Sequence, residues 1–149
     1  MPLKLDIVTA EGEIFSGECD LVTAPGSLGE MTILPSHAPL ITSLSAGEVR
    51  IGNRGREPHL LAVSGGFLEV LQNEVTILAN AAEEESDIDL DRATAAMERA
   101  RQRLASHSGD VDFERALASL SRAQVRIRLA RRWRERGGTR PSPVVQPRV

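Results

Sequence analysis

Glu83-Glu84-Glu85-Ser86-Asp87-Ile88-Asp89-Leu90-Asp91-Arg92-Ala93 is the stretch where the chain changes its pattern. Upstream of it, apolar residues alternate with polar ones at a period of two, the mark of half-buried strands. Downstream they recur three and four residues apart, the mark of a helix with one buried stripe. Ser86-Asp87 offers a capping context between the two. The junction divides the 149 residues into two modules.

Working upstream, Leu3, Leu5 and Ile7 alternate with Lys4 and Asp6, and Cys19, Leu21 and Thr23 alternate before Ala24-Pro25-Gly26. Met31 to Leu34 is stopped by Pro35. Val49 and Ile51 are joined to Leu60–Val63 across Gly52-Asn53-Arg54-Gly55-Arg56, a hairpin-like connection. Phe67–Leu71 and Val75–Leu78 flank Gln72-Asn73-Glu74, a second hairpin signal. Ser64-Gly65-Gly66 reads as a tight turn or bulge rather than as an anion nest. The spacing predicts an all-β N-terminal sandwich of about ten short antiparallel strands over residues 1–84.

Working downstream, Leu90, Ala93, Met97, Ala100 and Leu104 form one stripe. Ser106-His107-Ser108-Gly109-Asp110 stops it with a terminating glycine and a new cap. Phe113, Leu117, Leu120 and Ile127 form the second stripe, with Gln124 inside it, beside a ladder of Ala116, Ala123 and Ala130. The pattern predicts a C-terminal antiparallel α-helical hairpin over residues 85–136. From Gly137 the sequence Gly-Gly-Thr-Arg-Pro-Ser-Pro cannot continue a helix, so residues 137–149 read as a disordered tail.

Composition excludes several classes. No apolar run approaches the ~20 residues that span a bilayer, so no membrane insertion is expected. Met1-Pro2-Leu3-Lys4-Leu5-Asp6 lacks the order of a signal peptide. Cys19 is the only cysteine, which removes intramolecular disulfides and cysteine-clustered metal sites, and on an alternating strand it reads as a small core residue. His37, His59 and His107 are scattered, so no metal site is expected. Phosphate loops, nucleophile elbows and paired-histidine metalloprotease motifs are missing, so no catalytic residue is assigned. Four aromatic residues are too few for stacking on single-stranded nucleic acid.

The net charge of −3 conceals an asymmetry. Residues 1–85 hold 13 acidic and 4 basic residues, whereas residues 86–149 hold 8 acidic and 14 basic. With the hairpin turn centred near Gly109, Arg126 falls level with Arg92, and Arg122 level with Ala96. Asp89 and Arg92 share a face, as do Arg122 and Arg126, with Arg99 two turns from Arg92. Such a cluster asks for a polyphosphate, or for acidic side chains of another protein, unless it is simply a solvated face. Six arginines crowd residues 126–136. Nucleic-acid binding is one reading of that run, but the acidic first half disfavours it, and docking on an acidic protein surface is the other. His37 lies in the stiff loop Leu34-Pro35-Ser36-His37-Ala38-Pro39, which suits either an interface or a structural plug.

Phe15-Ser16-Gly17, Gly29–Leu40, Val63–Val70, Asn73–Ala79 and Gly109-Asp110-Val111-Asp112 occur in the order seen in one family. On these motifs the chain resembles the epsilon subunit of bacterial and chloroplast F-type ATP synthases up to about residue 135. The resemblance implies a non-catalytic rotor subunit, peripheral on the cytoplasmic face of the membrane. Such a subunit couples proton translocation to ATP synthesis and inhibits ATP hydrolysis. Its partners would be the gamma subunit, the c-subunit ring and, in the inhibited state, the alpha and beta subunits. Glu30 would meet the ring and His37 would belong to the gamma-facing loop. Ile88-Asp89-Leu90-Asp91-Arg92-Ala93 resembles the family's ATP-binding motif. Glu83, Asp89, Arg92, Arg99, Arg122 and Arg126 match its site, with ATP a regulatory ligand and no cofactor required. In an extended hairpin Arg122, Arg126, Arg128, Arg131 and Arg132 would face the beta subunit. The two uses exclude each other, so ATP would favour the folded state by differential affinity. The alternative is a free-standing ATP- or anion-sensing module.

Overall fold

A computed structural model describes residues 1–106 and 110–138, with backbone alone for 110–112. The turn read around Gly109 and the tail from Thr139 onward lie outside the described residues. The chain divides into two compact units, Met1–Glu83 and the segment that begins at Glu84.

In the first unit, β1 (Leu3–Thr9), β2 (Gly12–Cys19), β3 (Leu21–Gly26), β4 (Gly29–Ile33), β5 (Leu40–Gly52), β6 (His59–Leu71) and β7 (Glu74–Ala79) are hydrogen-bonded in the order β2-β1-β7-β6-β5-β3-β4. The short β8 (Ala82–Glu84) pairs with β6. Phe15 of β2 and Ile33 of β4 come from opposite ends of this order, yet both enter one core with Leu5, Ile7, Leu68 and Ile77. A flat sheet cannot do that; the strands are folded into a sandwich.

Eight strands replace the expected ten or so among the described residues, because β5 and β6 are each thirteen residues long. Ser64-Gly65-Gly66 does not end a strand but bends one, with φ of 106° at Gly65 and 140° at Gly66. A Cβ on Gly66 would lie 2.0 Å from the Leu78 carbonyl oxygen, so only glycine lets β6 bend against β7. The pairing is also not wholly antiparallel. β1 runs parallel to β7, from Lys4 opposite Glu74 to Val8 opposite Leu78. The expected β6–β7 hairpin is present, with Leu71 opposite Glu74. Gln72 and Asn73 both take positive φ, as the tight hairpin turn demands.

The second unit opens with a single 3-10 turn, Glu85–Asp87, followed by α1 (Leu90–Ala105) and α2 (Asp110–Glu135). Asp89, not Ser86 or Asp87, caps α1: its Oδ1 accepts from the Arg92 backbone N–H at 3.0 Å. The 3-10 turn delays the helix until a carboxylate reaches the free N–H groups. At the far end, Gly138 donates to the Trp133 carbonyl and Gly137 to that of Arg134, with both glycines at positive φ. This is a glycine-terminated Schellman end.

Ala93 and Ala100 of α1 and Ala116, Ala123 and Ala130 of α2 are buried. The expected alanine ladder is buried, and so are Ile127 of the expected stripe, Val125 and Leu129, whereas Phe113 and Leu117 are half exposed.

Candidate functional site

On the sandwich, Glu30 projects from the start of β4 and is exposed, but it is held: Arg50 Nη2 donates to its Oε1 at 2.7 Å. The other arm of Arg50 reaches the buried Glu48 at 3.4 Å. His37 is half-buried, its Nδ1 2.7 Å from the Ala38 carbonyl. Ser36 N–H donates to the Asn73 side chain at 2.6 Å, and Lys4 N–H to the Asn73 carbonyl at 2.8 Å. One turn residue thereby pins the His37 loop against the β6–β7 hairpin.

Sequence reasoning missed the outward face of β5, β6 and β7. Phe67 lies opposite Leu78 across β6–β7 and opposite Ser43 across β5–β6, with Ile41 nearby opposite Glu69. Phe67, Leu78 and Ile41 are each more than half exposed. The available signal was the alternation of β6 itself, which puts Phe67, Glu69 and Leu71 on the face away from the core.

Cys19 is buried, and its thiol is pushed up to about 12, first by burial and then by the Asp20 carboxylate. It is a core residue, not a nucleophile. His59 stacks edge-on against Phe15 with ring centroids 5.6 Å apart. No group of three metal-ligating side chains occurs among the described residues, and no helix there is long and apolar enough to cross a membrane.

In the hairpin, a residue just before a seam alanine and one just after it lie on opposite sides, because each step turns about 100°. Arg92, Arg99 and Arg122 directly precede Ala93, Ala100 and Ala123, and Arg126 falls on the same side. Antiparallel packing sets these sides together, so the four arginines share one edge. Arg92, Arg99 and Arg122 are exposed, Arg126 is half-buried, and Arg122 donates to Ser119 Oγ at 3.1 Å. Asp89 is committed to its cap, and Glu83 stands half-buried in β8 of the first unit.

Arg136 pairs with the buried Glu85, and Met97 and Arg101 share a groove with Gln124, Ile127, Arg128 and Arg131. The Glu85–Arg136 pair fastens the C-terminal end of α2 to the 3-10 turn. The second oxygen of Glu85 is buried without a partner, so the carboxylate depends heavily on Arg136.

A bent eight-strand sandwich followed by an arginine-edged helical hairpin defines the class. Residues 2–85 match the beta-sandwich domain of the ATP synthase delta/epsilon chain, and residues 86–131 match its long alpha-helix domain. An ATP synthase epsilon chain from Acidithiobacillus ferridurans is 43% identical over 140 residues, covering 94% of this chain and 99% of its own. One from Dehalococcoides mccartyi is 54% identical over 103 residues, covering 69% of this chain and 73% of its own. A chain of the Euglena gracilis mitochondrial ATP synthase superposes with a TM-score of 0.73 at 21% identity, covering 83% of this chain and 78% of that one. The chain belongs to the epsilon-chain family of ATP synthase, of the bacterial type, and is a non-catalytic subunit.

Proposed function

We propose that the chain works as a central-stalk subunit on the rotor side, coupling hydrogen-ion translocation to ATP synthesis through stiffness and interfaces alone. The sandwich clamps the gamma subunit and meets the c-ring, with Glu30 at the ring and His37 on the gamma side. The observation that carries this is the exposed apolar pairing of Phe67 with Leu78, beside Ile41, on a unit with a large acidic excess. Such a patch on a charged domain calls for a lasting protein partner. The complex holds the chain peripherally on the cytoplasmic face of the membrane.

The hairpin restrains ATP hydrolysis. Folded, it holds ATP with Arg92, Arg99, Arg122 and Arg126, while Asp89 and Glu83 orient the nucleotide. Extended, it sets Arg122, Arg126, Arg128, Arg131 and Arg132 against acidic residues of the beta subunit, close to alpha. In a reconstituted complex, truncation after Ala82 raises ATPase activity and leaves assembly intact, while Phe67→Asp blocks assembly. Normal assembly of Phe67→Asp, with no gain of hydrolysis on truncation, defeats this reading. In calorimetry of the isolated chain, ATP binding weakens in Arg92→Ala and Arg126→Ala; three indistinguishable titrations remove the nucleotide role.

A further inference from the structure

The hairpin has a second edge. Where Arg92, Arg99 and Arg122 precede the seam alanines, Arg101, Gln124 and Arg131 follow Ala100, Ala123 and Ala130. They lie on the opposite side of the seam and line a groove of about 620 Å³. Its floor is Met97 with the buried Ile127, and its rim adds Arg128, Arg132 and Glu135. Four guanidiniums therefore line the groove with one carboxylate, Glu135, over an apolar base, and Glu98 stands beside Arg101.

We infer that this groove is a binding site for a compact polyphosphate, separate from the edge formed by Arg92, Arg99, Arg122 and Arg126. Arg101 and Arg131, one from each helix, are the primary donors, and Arg128 and Arg132 engage neighbouring groups and set the field. Arg101 is held only by Glu98 at 3.3 Å, an exposed contact that an anion displaces at little cost. Forked guanidinium donors match phosphate oxygens two at a time. The apolar floor of Met97 and Ile127 keeps water from one side of the ligand, which strengthens those charges. The size suits a small molecule. Because both helices contribute, the site exists only while the hairpin is closed, so the anion stabilises the closed state by mass action.

The test is calorimetry of the full chain with inorganic pyrophosphate at low ionic strength, against matched chloride, with amide shifts followed at Gln124 and Ile127. Saturable binding is expected, reduced about tenfold in Arg101→Gln and in Arg131→Gln. It persists in Arg92→Gln. Gln124→Glu, which adds a carboxylate without removing an arginine, weakens it in the same direction. ADP titrated into Arg92→Gln tells the sources apart: matching affinity assigns phosphates carried on a nucleotide, and binding of pyrophosphate alone assigns a free polyphosphate. No saturable binding, equal losses in all three arginine variants, or a loss confined to Arg92→Gln overturns the inference. The last outcome leaves the nucleotide role of the first edge standing.

Discussion

The sandwich and the hairpin bury different things. Leu3, Leu5, Ile7, Leu61, Leu68 and Ile77 are all fully inaccessible in the first unit. Among the described residues the hairpin buries five alanines together with Val125, Ile127 and Leu129. Burying a leucine or isoleucine contributes about 1.5–3 kcal/mol, and an alanine methyl far less. The first unit is therefore held by many large apolar side chains, and the second by a few of them among alanines, with an ion pair at its end.

The largest departure from this contrast is expected on the sandwich side. Leu68→Ala should cost about 3–4 kcal/mol in denaturant unfolding of the first unit, since the bent β6 cannot collapse into the space. A cost below about 1 kcal/mol would mean that the core is less tightly packed than its burial indicates. In the hairpin, Arg136→Ala should cost about 2–3 kcal/mol, because it strands the buried Glu85 carboxylate. Faster amide exchange in the last turns of α2 reports it, and Glu85→Gln in the same chain should recover most of the loss. A double-mutant cycle without coupling would show that the pair closes nothing. Smallest is Asp89→Ala, about 1 kcal/mol from a lost helix cap, seen as fraying of the first turn of α1. An unchanged helical signal would return the cap to Ser86 or Asp87.

Local patterns in the sequence carried the class of each unit. Alternation at Leu3–Ile7 and the Gln72-Asn73 turn are strand and hairpin signals that act over a few residues, and both appear in the fold. The parallel pairing of β1 with β7 joins segments about seventy residues apart and leaves no local trace. The Gly65-Gly66 bend looked like an interruption because a glycine pair marks both strand ends and strand bends. In the hairpin the alanine ladder and Ile127 are buried as their spacing indicates, while Phe113 and Leu117 of the same stripe stay half exposed.

The first arginine edge was legible because its residues stand at helical spacing beside the alanines. The second edge follows from the same alanines read in the other direction, at Ala100-Arg101 and Ala130-Arg131. The Phe67–Leu78 patch required knowing which strands are neighbours.

What the hairpin buries has a thermal consequence. The heat capacity of an opening reaction follows the apolar area it uncovers, and the hairpin, with five buried alanines and three larger buried side chains among the described residues, has less of it to uncover than the sandwich core. Opening the hairpin should therefore be less curved with temperature than unfolding the sandwich. The arginine edges, exposed on both sides, respond instead to the ionic strength around them. Ionic strength should therefore shift the hairpin more than it shifts the sandwich.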